Sequence, residues 1–238
     1  MRITSRLFIA SLLFAPLASA EAQVGHAPTS TPYREILHGQ SLSFIAGTFG
    51  GSGGKLGIGP HDSHTYGIRY DIRLSTPLQI GVSISQGNFK RLIVDAFDSV
   101  ANRVKGPVTQ KVTMLDLSVQ WNLTGGKTWN HLAPYFGSGF GLAFASATPA
   151  DTSGYKFGNR LYIAPNVGVR FFVTDRLHLR LEARHTWWKL KYPAAYANEP
   201  TKQPAIAPAS NAVIQDGRLQ QWTGGGQLMA GLGYAVSF

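Results

Sequence analysis

The sequence predicts an all-β fold, an eight-stranded antiparallel up-and-down transmembrane β-barrel. Three observations lead to this prediction. Eight stretches alternate large apolar residues with small or polar ones, which is the period of two of a β-strand. The connections between these stretches alternate long and short, so short turns lie on one rim and long loops on the other. Finally, no long apolar run follows the N-terminal segment, so a chain that crosses a membrane must do so as a barrel.

The first 22 residues have the three parts of a signal peptide. Arg2 and Arg6 give a positive start, residues 7–15 form a short apolar core, and small residues allow cleavage after Ala20 or Ala22. The mature protein is therefore expected to be exported. Residues 23–39 contain prolines and show no clear period, so they are expected to form a periplasmic tail ahead of a barrel over residues 40–238.

The strands are expected at residues 40–49, 64–74, 78–85, 115–123, 136–144, 161–171, 177–184 and 227–238. The second is the clearest, because Tyr66, Ile68 and Tyr70 alternate with Gly67 and Arg69. Long loops are expected at residues 50–63, 89–110, 145–156 and 190–225. Short turns are expected at residues 75–77, 125–126 and 174–176.

Volume decides which face of the sheet points inward. A soluble ligand-binding barrel also alternates, with its apolar face inside, but eight strands leave room only for modest side chains. The large aromatic and aliphatic set exceeds that room, whereas the face of Gly137, Gly139 and Gly141 fits. We therefore expect the apolar face to contact lipid. Aromatic residues near the strand ends suit interfacial girdles: Trp121, Trp129 and Phe238 on one rim, Trp187 and Tyr192 on the other.

Residues 40–238 resemble the small eight-stranded outer-membrane barrels of the OmpA/OmpX type. The signal peptide, the strand count, the loop alternation and the terminal Phe238 carry this resemblance. It implies an integral position in the bacterial outer membrane, with outer-membrane lipids and lipopolysaccharide as neighbours. It also implies that the barrel-assembly machinery reads the last strand, with Phe238 as the assembly signal. These features are architectural, and they identify a fold without a chemistry.

The polar faces of the strands predict a charge network inside the lumen. Glu182, flanked by Arg180 and Arg184, is the expected hub. Charges in a narrow, partly dry lumen are costly unless they are paired, so the network should close the barrel. Its expected members are Arg69, Asp71, Arg73, Asp116, Arg170, Arg180, Glu182 and Arg184.

Most catalytic and metal chemistries find no support in the sequence. The chain has no cysteine, which excludes disulfides and thiol nucleophiles. The stretch 50–56 lacks the hydroxyl residue after Lys55 that a phosphate-binding loop requires. His61, Asp62 and His64 are too few convergent ligands for a metal site. We expect no cofactor, no metal and no catalytic residue. The net charge of +10 suits anionic lipid head groups, since an exported chain does not have nucleic acid as its main partner.

Two functions of different classes stay open. The first is a non-enzymatic barrel with a structural or surface-binding role through its long extracellular loops. In the second long loop, Lys90, Arg91, Arg103 and Lys105 suit lipopolysaccharide phosphates. The alternative is a membrane-embedded enzyme that modifies lipid A as a deacylase or acyltransferase. The stretch 185–187 is the nearest match to the His-x-Ser pair of such deacylases, but it lacks the serine.

Overall fold

The computed structural model describes residues 31–149, 151–206 and 209–236, so the predicted signal peptide and Phe238 lie outside the described residues. The strands are β1 (Tyr33–Glu35), β2 (Gln40–Gly51), β3 (Ser63–Arg73), β4 (Leu78–Val94), β5 (Val104–Asn122), β6 (Lys127–Trp129), β7 (Leu132–Ala145), β8 (Asn159–Phe172), β9 (Leu177–Lys191) and β10 (Gln220–Val236). A short 3-10 helix covers Ala194–Ala197. Across the described ranges, no helix is both long and apolar enough to span a membrane.

Eight of these strands form one closed antiparallel barrel. The order around the wall is β2, β3, β4, β5, β7, β8, β9 and β10, and β10 pairs with β2 to close it. Neighbouring strands are joined by short turns on one rim and by long loops on the other, and we label these rims periplasmic and extracellular after the expectation from the sequence. This topology confirms the predicted eight-stranded antiparallel up-and-down barrel.

The outer wall of the barrel is apolar. Ile68 is 52% exposed, whereas its chain neighbour Arg69 is 2% exposed. The same alternation runs around the wall, and it leaves exposed Phe44, Tyr66, Ile84, Leu117, Phe136, Phe140, Val167, Leu181, Leu228 and Leu232. A continuous apolar belt of this extent fits lipid rather than water. The prediction that the apolar face points outward is therefore confirmed.

Glycines on the inner face make room for large polar side chains. A Cβ atom on Gly139 would collide with the carboxylate of Asp116. A Cβ atom on Gly141 would collide with the ring of Tyr162, and one on Gly168 with that of Tyr135. The lumen is thus narrow, and these glycines are required by the close approach of side chains from the neighbouring strands.

The strands extend further than the sequence pattern indicates. β4 and β5 continue as a hairpin to Val94 and from Val104, where residues 89–110 were expected to be a loop. Beyond the apolar belt the apolar and polar residues exchange faces, so that apolar side chains point inward and polar ones outward. Phe89 and Val112 are buried, while Lys90 and Lys111 are exposed. The inversion has a physical reason: at this height the outside is water and the inside is packed with apolar side chains.

Residues 33–39, the last part of the expected periplasmic tail, pair with the rim of the barrel. Tyr33, Arg34 and Glu35 form β1, which pairs with β6 in the connection between β5 and β7. The backbone N–H of Ile36 donates to the carbonyl of Gly126 at 2.9 Å. This part of the chain is therefore hydrogen-bonded to the periplasmic rim of the barrel.

The four long connections, residues 52–62, 95–103, 146–158 and 192–219, pack together on the extracellular rim; we call them the cap. Residue 150 and residues 207–208 fall outside the described part of these loops. Their apolar core includes Ile58, Tyr155, Phe157, Tyr196 and Ile214. Tyr192 is only 5% exposed in this core, so its expected girdle position is wrong. Trp222, 63% exposed on β10, lies outward at this level.

Candidate functional site

The centre of the lumen holds a chain of buried ion pairs. The carboxylate of Asp71 binds Arg69 (Nε to Oδ1, 2.8 Å) and Arg180 (Nη2 to Oδ2, 2.9 Å). Arg180 also reaches Glu182 (Nη1 to Oε2, 3.4 Å). These four side chains are at most 3% exposed. Strands β3 and β9, on different parts of the wall, are thus connected through the lumen.

Glu182 joins this half of the network to a second one. Arg184 donates from Nε to Glu182 Oε1 at 3.0 Å, and its Nη1 lies 3.5 Å from Asp116 Oδ2. The hydroxyl of Tyr135 donates to Glu182 Oε2 at 2.8 Å, and that of Tyr162 donates to Asp116 Oδ2 at 3.2 Å. Glu182 therefore accepts hydrogen bonds from two arginines, a tyrosine and the amide of Gln120.

Two of the eight predicted network residues lie apart from the ion-pair chain. Arg73 sits at the periplasmic rim, where its Nη1 donates to the carbonyl of Ile36 at 2.7 Å. Arg170 is 5% exposed and donates to Asn122 Oδ1. Within the described ranges, neither arginine forms an ion pair. The stagger of the strands decides this placement, and the alternation pattern does not contain it.

The extracellular half of the lumen is apolar, which the sequence pattern did not indicate. Trp188 points inward and is 1% exposed. Its ring stacks on Phe49 and meets Phe157 edge-on, both with centroids 5.4 Å away. Phe89 packs against Phe49 from the other side, at 5.1 Å. The lumen thus has a charged layer toward the periplasm and an aromatic layer below the cap.

A buried ion pair holds the cap together. Arg91 Nη2 lies 2.5 Å from Asp151 Oδ2, and both side chains are at most 3% exposed. The guanidinium also lies over the ring of Tyr155, 5.5 Å from its centroid. Burial by itself would raise the pKa of the Asp151 carboxyl, but hydrogen bonds from Ser153 and Arg91 outweigh it and lower this pKa.

A second cluster ties the hairpin of β4 and β5 to the longest loop. Asp98 accepts from Lys202 Nζ at 3.0 Å and from Lys105 Nζ at 3.4 Å. The hydrogen bonds from Lys202 and from the backbone of Ser99 hold the pKa of Asp98 below its usual range. The other carboxylates of the cap are also bound internally. Their partners are backbone N–H groups for Asp62, Asp95 and Glu199, and Lys55 for Asp216.

The four basic residues predicted to contact lipopolysaccharide lie in different surroundings. Arg91 is buried against Asp151, so its guanidinium does not reach the surface. Arg103 donates to the carbonyl of Asn211 at 2.8 Å, and Lys105 pairs with Asp98. Lys90 is exposed on the outward face of β4 and forms no ion pair in the described part of the chain. Sequence position alone could not separate these cases, because their partners come from other loops.

Four lysines do share one kind of position: Lys90, Lys111, Lys189 and Lys191 lie on the outward faces of strands just above the apolar belt. We call them the lysine collar. Lys90 and Lys111 are diagonal neighbours on β4 and β5, since Lys90 pairs with Thr109. Lys189 and Lys191 follow each other on one face of β9. In the ranges that the structure describes, none of the four forms an ion pair.

Aromatic rings lie next to the collar on β9 and β10. Trp222 is the cross-strand partner of Lys189, and Trp187 lies two residues below it on the same face. Trp187 and Trp222 are 41% and 63% exposed. Indole rings and lysine ammonium groups together are typical of the boundary between hydrocarbon and head groups. The signal for this site in the sequence is the alternation of Lys189 and Lys191 with inward-facing apolar residues.

The candidate catalytic and metal-binding side chains do not converge on a common site. His185 faces outward with its ring 4.6 Å from that of Trp187, whereas Thr186 points inward and is fully buried. The two residues therefore lie on opposite sides of the wall. His61 Nδ1 lies 2.9 Å from the carbonyl of Gly59. Among the described residues, no three His, Asp or Glu side chains converge as a metal site would require.

A closed barrel with an apolar belt, a charged interior and long loops on one rim is the architecture of integral outer-membrane proteins. The chain is accordingly an integral β-barrel of the bacterial outer membrane, as predicted from the sequence.

No family model matches the chain, and no curated protein matches it. Solved structures of outer-membrane proteins do resemble it. Neisserial surface protein A is 13% identical, with a TM-score of 0.48 over 87% of this chain and 98% of that one. The outer-membrane protein OprG from Pseudomonas aeruginosa is 12% identical, with a TM-score of 0.47 over 87% and 100% of the two chains. Ail, the attachment invasion locus protein of Yersinia pestis, is 14% identical, with a TM-score of 0.37 over 83% of this chain and 100% of that one. At these identities the likeness concerns the fold.

Proposed function

We propose that this protein is a non-enzymatic outer-membrane barrel whose lysine collar binds the phosphate groups of lipopolysaccharide in the surrounding leaflet. One observation carries the proposal. The carboxylates of the cap are bound by groups of the cap itself and of strands β2, β4 and β5, while the four collar lysines face outward without ion pairs in the described structure. The surface next to the outer leaflet is therefore cationic, and ammonium groups bind phosphates as point charges.

The spacing of the lysines supports a shared phosphate at each of two places. Diagonal neighbours such as Lys90 and Lys111 have Cβ atoms about 7–8 Å apart. Lys189 and Lys191, two residues apart on one face, are about 7 Å apart. Either pair can approach one phosphate from two sides with its flexible side chains. Trp187 and Trp222 would pack against the acyl and sugar parts of the same lipid.

A surface-binding role of the cap toward an extracellular partner is the second candidate. Four apolar side chains are exposed in this region, from 41% to 90%: Phe97, Val100 and Ile206 in the loops of the cap and Val104 at the start of β5. The backbone that presents them is fixed, because Phe97 O accepts from Lys202 N and Thr201 Oγ1, and Val100 N donates to Gln203 Oε1. An ordered apolar tip above a cationic collar favours binding over a purely structural role.

A lipid A titration tests the collar. The full mature chain, folded in phospholipid nanodiscs, is titrated with lipid A that carries its phosphates and with dephosphorylated lipid A. The double variant Lys189→Gln/Lys191→Gln should weaken binding of the phosphorylated form about 10-fold, since each exposed charge contact contributes up to about 1 kcal/mol. Binding of the dephosphorylated form should not change.

The matched control is Lys127→Gln, an exposed lysine on the periplasmic rim, which should bind both lipids as wild type does. Equal affinity of wild type for the two lipids would contradict the collar. Mass spectrometry of lipid A from cells with and without the protein tests the enzymatic alternative. An altered acyl pattern that depends on the protein would overturn the non-enzymatic assignment.

A further inference from the structure

The N-terminal strap, residues 33–39, crosses the periplasmic mouth of the barrel. It begins as β1, paired with β6 beside β5 and β7, and it ends at β2, on the other side of the wall. On that side the backbone N–H of Arg73 donates to the carbonyl of Gly39 at 2.6 Å. The strap therefore covers the charged layer of the lumen from below.

A small pocket lies between the strap and the lumen. Its polar lining includes Arg73, Arg170, His178, Gln79 and Asn122, and no carboxylate of the described chain lines it. The cavity measures about 20 Å³, which is room for one or two water-sized particles and too little for a phosphate. The lining is thus rich in hydrogen-bond donors and positive charge, and together with the small volume it favours a small anion.

The charges of the lumen do not balance without an additional anion. Its buried arginines are Arg69, Arg170, Arg180 and Arg184, and its buried carboxylates are Asp71, Asp116 and Glu182. Three of the arginines take part in the ion-pair chain, so the excess positive charge falls on Arg170. A buried charge without a counter-charge is strongly destabilising.

The groups that face the pocket also have unused donors. Within the described structure, Arg170 Nε and both ring nitrogens of His178 are buried without a hydrogen-bond partner. His178 is 1% exposed, and its ring packs 5.2 Å from that of Phe172. The Cε1–Nε2 edge of the ring lies against Gly233, so the tautomer with its N–H on Nδ1 is the one that can add a second free donor to that of Arg170.

We propose that this pocket binds a small inorganic anion of the halide class, such as chloride, between Arg170 and His178. The anion neutralises the unpaired guanidinium and accepts from both free donors. Because the strap forms one wall of the pocket, the bound anion also holds the strap in place over the mouth. The site is independent of the lysine collar, which lies on the opposite rim and faces outward.

The test compares halides with a large anion at equal ionic strength. The full mature chain, folded in detergent micelles, is heated in sodium chloride and in sodium gluconate. Chloride at about ten times its Kd should raise Tm by about 3–6 °C over gluconate, because it binds only the folded barrel. Chlorine-35 NMR should show saturable line broadening. An equal Tm in both salts, with no broadening, would mean that water fills the pocket, and it would overturn the proposal.

Arg170→Gln identifies the residue responsible. This variant should fold, because it leaves three lumen cations facing three carboxylates. It should lose both the rise in Tm in chloride and the saturable chlorine-35 line broadening. The matched control Arg160→Gln removes an arginine at the other end of β8, outside the pocket, and should keep them. If Arg170→Gln retained the halide response, the site would be elsewhere. If that variant does not fold, wild-type crystals grown in sodium bromide provide the test. An anomalous bromide peak between Arg170 and His178 would support the site, and its absence would overturn the proposal.

Discussion

At the scale of single residues, Glu182 is the point where the two halves of the ion-pair chain meet. It accepts from Arg184 at 3.0 Å and Tyr135 at 2.8 Å, and lies 3.4 Å from Arg180. A buried ion pair adds little net stability compared with apolar packing, but removing one partner leaves the other charge uncompensated. The pattern of alternating charges on β9 was enough to indicate Glu182 as a centre. Its tyrosine partner could not be deduced, because Tyr135 comes from a strand whose stagger is fixed only in the closed barrel.

Glu182→Ala should lower the free energy of unfolding by about 3–5 kcal/mol, since it leaves Arg180 and Arg184 facing each other in a buried layer. Glu182→Gln should be less damaging, because its amide still accepts hydrogen bonds. Urea unfolding followed by tryptophan fluorescence gives both values. A Glu182→Ala variant that unfolds at the wild-type midpoint would show that the pairs do not support the lumen.

Asp151 makes the cap sensitive to acid. Its pKa in the folded cap lies below the ordinary 3.8. The pair with Arg91 therefore stabilises the cap at pH values above 3.8, and this contribution is lost as the pH falls through the lowered pKa. Asp151→Asn should loosen the cap at neutral pH by up to about 3–5 kcal/mol, because Arg91 stays buried without its partner.

Hydrogen exchange of residues 151–158 measures this effect. Asp216→Asn is the control, since its pair with Lys55 is exposed at 33% and 53% and should contribute at most about 1 kcal/mol. In the wild type, the protection of these residues against exchange should fall on acidification. In Asp151→Asn, their protection should already be low at neutral pH and should fall less on acidification. Full protection of the cap in Asp151→Asn at pH 7 would show that the buried pair is dispensable.

At the scale of elements, the strands can be predicted from the sequence within the apolar belt but not above it, because the apolar residues change from the outer to the inner face there. Within the belt, Ile84 and Leu117 point out and Ser83 points in, so the strands are evident. Above the belt Phe89 points in and Lys90 points out. The period is still two, but the pattern for lipid outside and polar groups inside is reversed. Residues 89–110 therefore read as a loop, although the β4–β5 hairpin continues through most of them.

Depth in the membrane sets the sensitivity of each outward position. Ile68 on β3 lies within the belt, 52% exposed, and Ile68→Arg should destabilise the barrel by about 2–4 kcal/mol. Leu74, at the periplasmic turn and 56% exposed, is the control, and Leu74→Arg should cost about 0–1 kcal/mol. Guanidine unfolding in phospholipid vesicles gives the two values. Equal stability of the two variants would be incompatible with the assigned belt.

At the scale of the whole molecule, strand number, topology and the outward direction of the apolar face follow from the sequence. The period of two and the alternation of loop lengths are local signals, and they leave few other closed structures. The cap, the aromatic layer and the strap depend on contacts between loops far apart in the chain, such as Tyr196 with Val94 and Lys55 with Asp216. Such contacts leave no periodic trace, so they could not be predicted. Recognition of Phe238 as an assembly signal stays a prediction.

We propose that the lumen is filled and that the protein works through its outer surfaces. A charged layer, an aromatic layer, the cap and the strap lie in series along the barrel axis. The most direct test is the conductance of the purified full chain in planar lipid bilayers at neutral pH, with a porin as the positive control. We expect insertion without steady current, because each layer blocks the path of hydrated ions. Stable open-channel steps that persist after insertion would contradict it.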